Sequence, residues 1–422
     1  MALANVPDPK NMQVHKNDII STISKLEACY SDLQNLSYFL KLALEFSAPV
    51  KSAKGAPKIA IVGLEIPEEL IYGARAEPLW ILGGSFGAAL YADPLVPRDT
   101  DSVSKATLGY LFSEIFNYTE KAVLTVIPIA TDSMRKIAYM LSKKREVLAI
   151  DIPPVKENSE SARKWLAQMD CLRTAVEQKT KHRLSIAGLR TAVTMVNAAK
   201  MQMKRTLAYS INNPEQVSGV LALFLIDTYY FANQLPEWTT HLKALNDEIA
   251  SKIEQNQGSE KARRPRVMVA GSPVYFPNFK IPLLLQELNV HLSAYVHEMT
   301  RRIELLAETP EPGTSLSKWV EKIVLNHYWA DCSAAFADSK TRLEYMRTLT
   351  ETIPLNGVVY HVLKGQIEYD FELERCESYF SKRDIPLLRV ETDFHQQDIE
   401  QIKVRLEAFT EMMEDKFLKT RG

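Results

Sequence analysis

Residues able to do chemistry gather just beyond apolar runs in the C-terminal half of this 422-residue chain. In RVMVAGSPVYFPN, Ser272, Tyr275 and Asn278 follow a β-branched stretch, at the strand edge where open α/β sheets bind ligands. These side chains can hydrogen-bond a ligand; equally, Pro273 and Pro277 can simply rigidify a surface loop. His361 follows GVVY at another strand end. Glu391 and Asp393 follow the strand of DIPLLRVETD, where they suit capping of the next helix better than acid–base work. His291 and His297 flank an apolar strand without the i, i+4 spacing of a zinc pair, which gives them a structural role. No Ser-His-Asp or Cys-His arrangement follows from spacing. LGGSFG matches neither phosphate-binding glycine pattern and reads as a tight strand-to-loop turn.

The elements that position these residues form two alternating units. Apolar residues from Ile19 to Leu40 recur at helical intervals, predicting an N-terminal helix or helix pair that SAPVKSAKGAPK ends. KIAIVGL, AEPLWILG, AVLTVIPIAT and EVLAIDIPP read as strands alternating with helices, which implies a parallel sheet. From Asn158 the pattern changes to long helical repeats, and EQNQGSEKARRPR, with Lys261, Arg263, Arg264 and Arg266, reads as a solvated linker. RVMVAGSP, NVHLSAYV, GVVYHVL and DIPLLRVETD then form a second strand set with interposed helices. The expectation is an α/β protein of two parallel-sheet, Rossmann-like or flavodoxin-like units with a helical N-terminus and a helical insert. Its segments are 1–55 (N-terminal helices), 56–157 (first unit), 158–262 (insert) and 263–422 (second unit with the C-terminal helix). No internal repeat is clear from sequence.

Composition narrows the function classes. Hydrophobic residues make up 46% and charged residues 24%, as in ordinary globular proteins. A net charge of -1 gives no basic face for nucleic acid. The longest apolar run, VSGVLALFLIDTYYF, contains Asp227 and falls short of the ~20 residues that span a bilayer, so no membrane partner is expected. Without a secretory h-region, the N-terminus points to a cytoplasmic protein. Cys29, Cys171, Cys332 and Cys376 lack C-x-x-C spacing; Cys29, Cys171 and Cys376 fall in helical stretches, as buried structural thiols do.

The ending IPLLRVETDFHQQDIEQIKVRLEAF, together with IPEELIYGARAEPLWILGG, PRDTDSVSKATLGY, WLAQMDCLRTAVEQKTKHRLS and VMVAGSPVYFPNFKIPLLLQEL, resembles the 2-hydroxyacyl-CoA dehydratase family with the benzoyl-CoA reductase core subunits. The likeness runs in the family's order from about Lys58 onward. It implies a heterodimer of related subunits in anaerobic metabolism, a lyase or reductase. In that family a four-iron four-sulfur cluster sits on cysteines in a cleft between α/β domains, and an ATP-dependent activator supplies an electron for radical dehydration of an acyl-CoA.

At the positions that the resemblance assigns to cluster cysteines, this chain has Asp101 in PRDTDS, Thr131 in PIATDS and Gln366 after YHVLKG, with Met299 before Thr300 at a further place. Hard oxygen donors are poor substitutes for thiolate on iron. The resemblance therefore implies a chain with no cofactor of its own, paired with a homologous cysteine-bearing subunit that holds the cluster, and shaping an acyl-CoA site. The alternatives are a stand-alone acyl-CoA-binding or regulatory paralogue, or an iron-independent enzyme using Asp101, Asp132 and His361 for proton transfer.

Overall fold

The computed structural model describes residues 9–46, 55–113, 122–156, 158–255, 264–338 and 340–419. The linker reading of residues 47–54 and of Lys261 and Arg263 falls outside them. The chain begins with a helix pair, α1 (Pro9–Cys29) and α2 (Ser37–Phe46). β1 (Lys58–Val62), α3 (Glu69–Gly73), β2 (Glu77–Ile81), α4 (Phe86–Ala92), α5 (Ser102–Phe112), β3 (Ala122–Ile129), α6 (Asp132–Ser142) and β4 (Val147–Asp151) build the first unit. Four helices follow: α7 (Ser159–Thr180), α8 (Ile186–Asn212), α9 (Gly219–Tyr229) and α10 (Leu235–Gln255). β5 (Arg266–Gly271), α11 (Lys280–Glu287), β6 (His291–Tyr295), α12 (Glu298–Glu304), α13 (Leu316–Ala330), α14 (Lys340–Thr352), β7 (Gly357–Leu363), α15 (Ile367–Ser381), β8 (Leu387–Thr392) and α16 (Ile399–Lys419) complete the second unit.

The two sheets repeat one topology. The first runs β2-β1-β3-β4 and the second β6-β5-β7-β8, with every pairing parallel. Each thus places its first strand beside its second and third, which creates a topological switch point between β1 and β3 and another between β5 and β7. Strands buried on both faces explain the unbroken apolar runs: all of β7 is buried, and β1 is buried from Ile59 to Val62.

α9 is buried along its whole length, as a helix apolar all round must be inside a protein. Its Asp227 accepts from Phe276 N at 3.1 Å, and burial holds that carboxyl well above the usual range. Among the described residues no helix is long and apolar enough to cross a membrane.

Side chains from distant segments lock the units together. Arg302, buried on α12, donates to Ile66 O (3.1 Å), to Leu64 O and to the Glu68 carboxylate of the IPEEL stretch. Glu69 beside it faces Lys200 of α8 at 3.4 Å and His327 of α13 at 3.4 Å. Burial opposes the charge on Glu69, but Lys200 and His327 override it and hold the carboxyl well below its ordinary value. Two carboxylates, two side-chain cations and an imidazole are buried as one network joining first unit, insert and second unit.

Candidate functional site

The carboxyl ends of the two sheets face each other across a cavity of about 90 Å³. Val62 at the end of β1 with Gly63 to Glu65 after it, Gly83 after β2, Thr131 after β3, Pro273 and Tyr275 after β5, His297 and Glu298 after β6, and Gln366 after β7 all border it. This is where doubly wound sheets place ligands, here contributed by both units at once.

The residues that the resemblance sets at the cluster positions have defined places here. Asp101 is buried and N-caps α5, its Oδ1 accepting from Ser104 N at 2.9 Å. Gln366 Nε2 donates to that same Oδ1 at 3.1 Å. A carboxylate only accepts, so the amide must turn its NH2 to Asp101, and Oε1 remains buried without a partner. Thr131 borders the cavity and N-caps α6, its hydroxyl accepting from Met134 N at 3.3 Å. Met299 is buried, and Thr300 donates to Tyr295 O at 2.7 Å; neither borders the cavity.

The donors at the assigned positions are thus a capping carboxylate, a capping hydroxyl and an amide. This set does not fit a thiolate-ligated cluster. Among the described residues no three His, Cys, Asp or Glu are arranged to hold a metal ion. Cys29 and Cys171 are exposed on their helices rather than buried, because each falls on the outward face of an amphipathic helix; Cys332 and Cys376 are buried. Burial raises the Cys332 thiol well above its ordinary value, which keeps it protonated.

The other sequence-derived residues separate. Tyr275 borders the cavity, edge-on to His297 with ring centres 5.2 Å apart. Ser272 instead ties β5 to β7: its backbone N donates to His361 O at 2.7 Å and its hydroxyl accepts from Leu363 N at 2.8 Å. Asn278 is half-buried and its backbone N bonds Tyr275 O at 2.9 Å. His361 is buried with Nδ1 3.3 Å from Ser272 O, and burial lowers its pKa to about 4. Asp132 is exposed in the first turn of α6. Asp101 contacts Gln366, His361 contacts Ser272, and Asp132 faces solvent, so no proton relay joins them. Glu391 pairs with Arg389 of the same strand, β8, at 2.9 Å, while Asp393 accepts from His395 N at 2.8 Å and pairs with Lys364 at 3.0 Å, bracing the turn after β8.

Sequence reasoning missed the ionisable wall of the cavity. His297 Nδ1 accepts from Met299 N at 3.2 Å, which puts the ring proton on Nε2, 2.7 Å from Glu298 Oε2. Arg342 Nη2 approaches Glu298 at 3.3 Å from the other side. Burial opposes the Glu298 charge, yet His297 and Arg342 hold the carboxyl down to about 2. Glu65 accepts from Leu64 N at 2.9 Å, and burial together with the charges of Asp331 and Glu298 pushes its pKa up to about 8. Gly63, at φ 103°, makes this possible. A Cβ there would lie 2.6 Å from Glu65 Oε2. His297 is therefore more than the structural histidine its strand-flanking position suggests, whereas His291, bonded to Ser210 O at 3.0 Å, fills that role.

A two-sheet α/β protein with a largely apolar cavity at facing strand ends, carrying a few ionisable groups, is the class these features define. The chain belongs to the 2-hydroxyglutaryl-CoA dehydratase D-component family, whose model matches residues 64–413. It is 21% identical over 363 residues to YjiM of Escherichia coli strain K12, covering 85% of this chain and 92% of that protein. It is 19% identical over 362 residues to the (R)-phenyllactyl-CoA dehydratase beta subunit of Clostridium sporogenes, with 85% and 92% covered. It is also 20% identical over 396 residues to the lactoyl-CoA dehydratase subunit beta of Anaerotignum propionicum, covering 93% of this chain and all of that one.

Proposed function

We propose that this chain is the cluster-free subunit of a 2-hydroxyacyl-CoA dehydratase-type complex, and that its cavity helps shape the acyl-CoA site. Family membership and the beta-subunit names of its relatives support the role of subunit. The observation that carries the cluster-free reading is the bond between Gln366 and Asp101, with Thr131 capping α6: the assigned positions hold hard donors already engaged in local structure. Its partner would be a homologous, cysteine-bearing chain that holds the cluster and receives the electron from an ATP-dependent activator. Ile367 and Phe371, one helical turn apart at the start of α15 beside Gln366, are 64% and 80% exposed, and offer apolar surface to such a partner.

The test is iron and acid-labile sulfide per chain, on protein purified alone under anaerobic conditions and again after co-expression with a cysteine-bearing homologue. Iron near zero in the first and present in the second is the expected result. Several irons on the isolated chain would overturn the reading.

A further inference from the structure

A second concavity lies at the opposite edge of the second sheet. α14 ends just before β7 begins and α15 just before β8, so the last turns of both helices reach the amino ends of the strands, away from the cavity. The helices pack through Met346 and Cys376, whose sulfurs are 3.7 Å apart, and leave between them an open groove of about 750 Å³. No residue lines both groove and cavity. Glu368 at the cavity and Lys382 at the groove are separated by about four turns of α15, roughly 21 Å.

The groove is basic. Arg347, Arg375, Lys382 and Arg383 line it against Glu351 and Glu374, an excess of positive charge on a chain whose net charge is -1. Arg347 and Glu351 share one face of α14, and Arg375, Tyr379 and Arg383 recur four residues apart along α15, so the helical repeat turns them to a common side. Arg347, Lys382 and Arg383 make no ion pair among the described residues. Lys382 and Arg383 follow the last turn of α15 and complement the negative end of its dipole. Arg347, in the middle of α14, has no such reason to be there.

Tyr379 lies at the centre of this charge. It is buried, and its hydroxyl has no hydrogen-bond partner among the described residues. The Arg383 guanidinium sits 3.9 Å from its ring centre and that of Arg347 5.2 Å. Two cations held on one ring are less than about 10 Å apart, a separation over which like charges still repel at ~0.1 M salt. An oxyanion beside them relieves that repulsion and gives the stranded O–H an acceptor.

We propose that this groove binds a small molecule carrying a diphosphate group. A diphosphate spreads its charge and its acceptor oxygens over several ångströms, as the cations are spread over two helices, and forked guanidinium donors suit phosphate oxygens. A single orthophosphate cannot engage both helices in the same way. The volume falls within the ~300–1,000 Å³ of small-molecule sites, which leaves room for a group attached to the diphosphate.

The experiment measures equilibrium binding of pyrophosphate, ADP and orthophosphate to the full chain at pH 7 by calorimetry. Pyrophosphate should bind with Kd below about 1 mM, and orthophosphate at least about tenfold more weakly. ADP binding as tightly as pyrophosphate, or tighter, identifies a nucleotide as the source of the group; pyrophosphate binding while ADP does not identifies the free anion. Arg347→Gln and Arg383→Gln should each weaken pyrophosphate by roughly three- to tenfold, and Tyr379→Phe by roughly two- to fivefold. Lys164→Gln, which removes an exposed cation on α7, is the control and should leave binding unchanged. Lys382→Gln, at an exposed position, takes the place of Arg383→Gln if that variant loses its fold. No binding of pyrophosphate at 1 mM overturns the proposal, as does an equal loss in the Arg347→Gln and Lys164→Gln proteins, which would make the attraction one of general charge.

Discussion

Gln366 Nε2 lies 3.1 Å from Asp101 Oδ1, joining the loop after β7 of one unit to the helix start after β2 of the other. Asp101 does two jobs through that oxygen, since it also caps α5. The positions that the family resemblance assigns to cluster ligands are here a cap and a clasp. Asp101→Ala removes both, and should destabilise the chain by about 1–2 kcal/mol. Asp101→Asn keeps an accepting oxygen and should lose less. Urea midpoints of the two variants check this; equal losses would mean that the carboxylate charge, not the acceptor, matters.

The strands were legible because buried parallel strands need unbroken β-branched runs, and KIAIVGL and GVVYHVL show them. The repeated strand order was not, since it emerges only from which strands pair. At the site, strand-end position led to Tyr275, which borders the cavity, whereas Ser272 serves the backbone between β5 and β7. Glu65 and Glu298 were invisible for a physical reason. Much of their character comes from groups distant in sequence: Arg342 is 44 residues beyond Glu298, and Asp331 and Glu298, whose charges act on Glu65, lie in the other half of the chain. The resemblance located Asp101, Thr131 and Gln366 but could not show that Gln366 bonds Asp101.

The raised pKa of Glu65 has a sign in stability. In the folded chain the carboxyl keeps its proton up to about 8, whereas the unfolded chain releases it near 4.5. The folded state therefore binds more protons between those values, so stability falls as pH rises through this window. Glu298, Glu368 and His297 line the strand-end cavity with this group, and Asp331, Arg301, Arg302 and His327 line a smaller neighbouring pocket that Glu65 and Glu298 also border. Glu65→Gln cannot ionise, so its stability relative to the parent should grow from pH 5 to about 8 and then level. Denaturation midpoints at intervals across that range test it; parallel profiles would show that Glu65 ionises normally.

Close approach of the two units predicts a second effect. A Cβ on Gly84 would lie 2.3 Å from Phe276 O and 2.6 Å from Tyr275 O, both backbone atoms of the loop after β5. Backbone cannot swing aside as a side chain can, so Gly84→Ala must push the units apart. The expected loss is about 1–3 kcal/mol, with weaker acyl-CoA binding because Tyr275 moves with that loop. A crystal structure of the variant with an unchanged Gly84-to-Phe276 separation would contradict it.

Arg302 is the sharpest test of how the units are joined. Its guanidinium bonds Leu64 O, Ile66 O and Glu68, and all of it is buried. Burial opposes its charge, but Glu68, Tyr230 and Glu69 outweigh that. Arg302→Leu removes the cation and leaves the Glu68 carboxylate facing Lys200 at 3.8 Å and Tyr229 OH at 3.0 Å, too little to replace a forked guanidinium. Breaking one side of a buried pair costs about 3–5 kcal/mol. Arg302→Lys keeps a charge but cannot reach two carbonyls and a carboxylate at once, and should fall in between. The double change Arg302→Leu with Glu68→Gln removes the stranded charge as well as the pair, and should recover part of the loss. If the double variant is no more stable than Arg302→Leu alone, the carbonyl bonds to Leu64 and Ile66, rather than the ion pair, hold the two units in register.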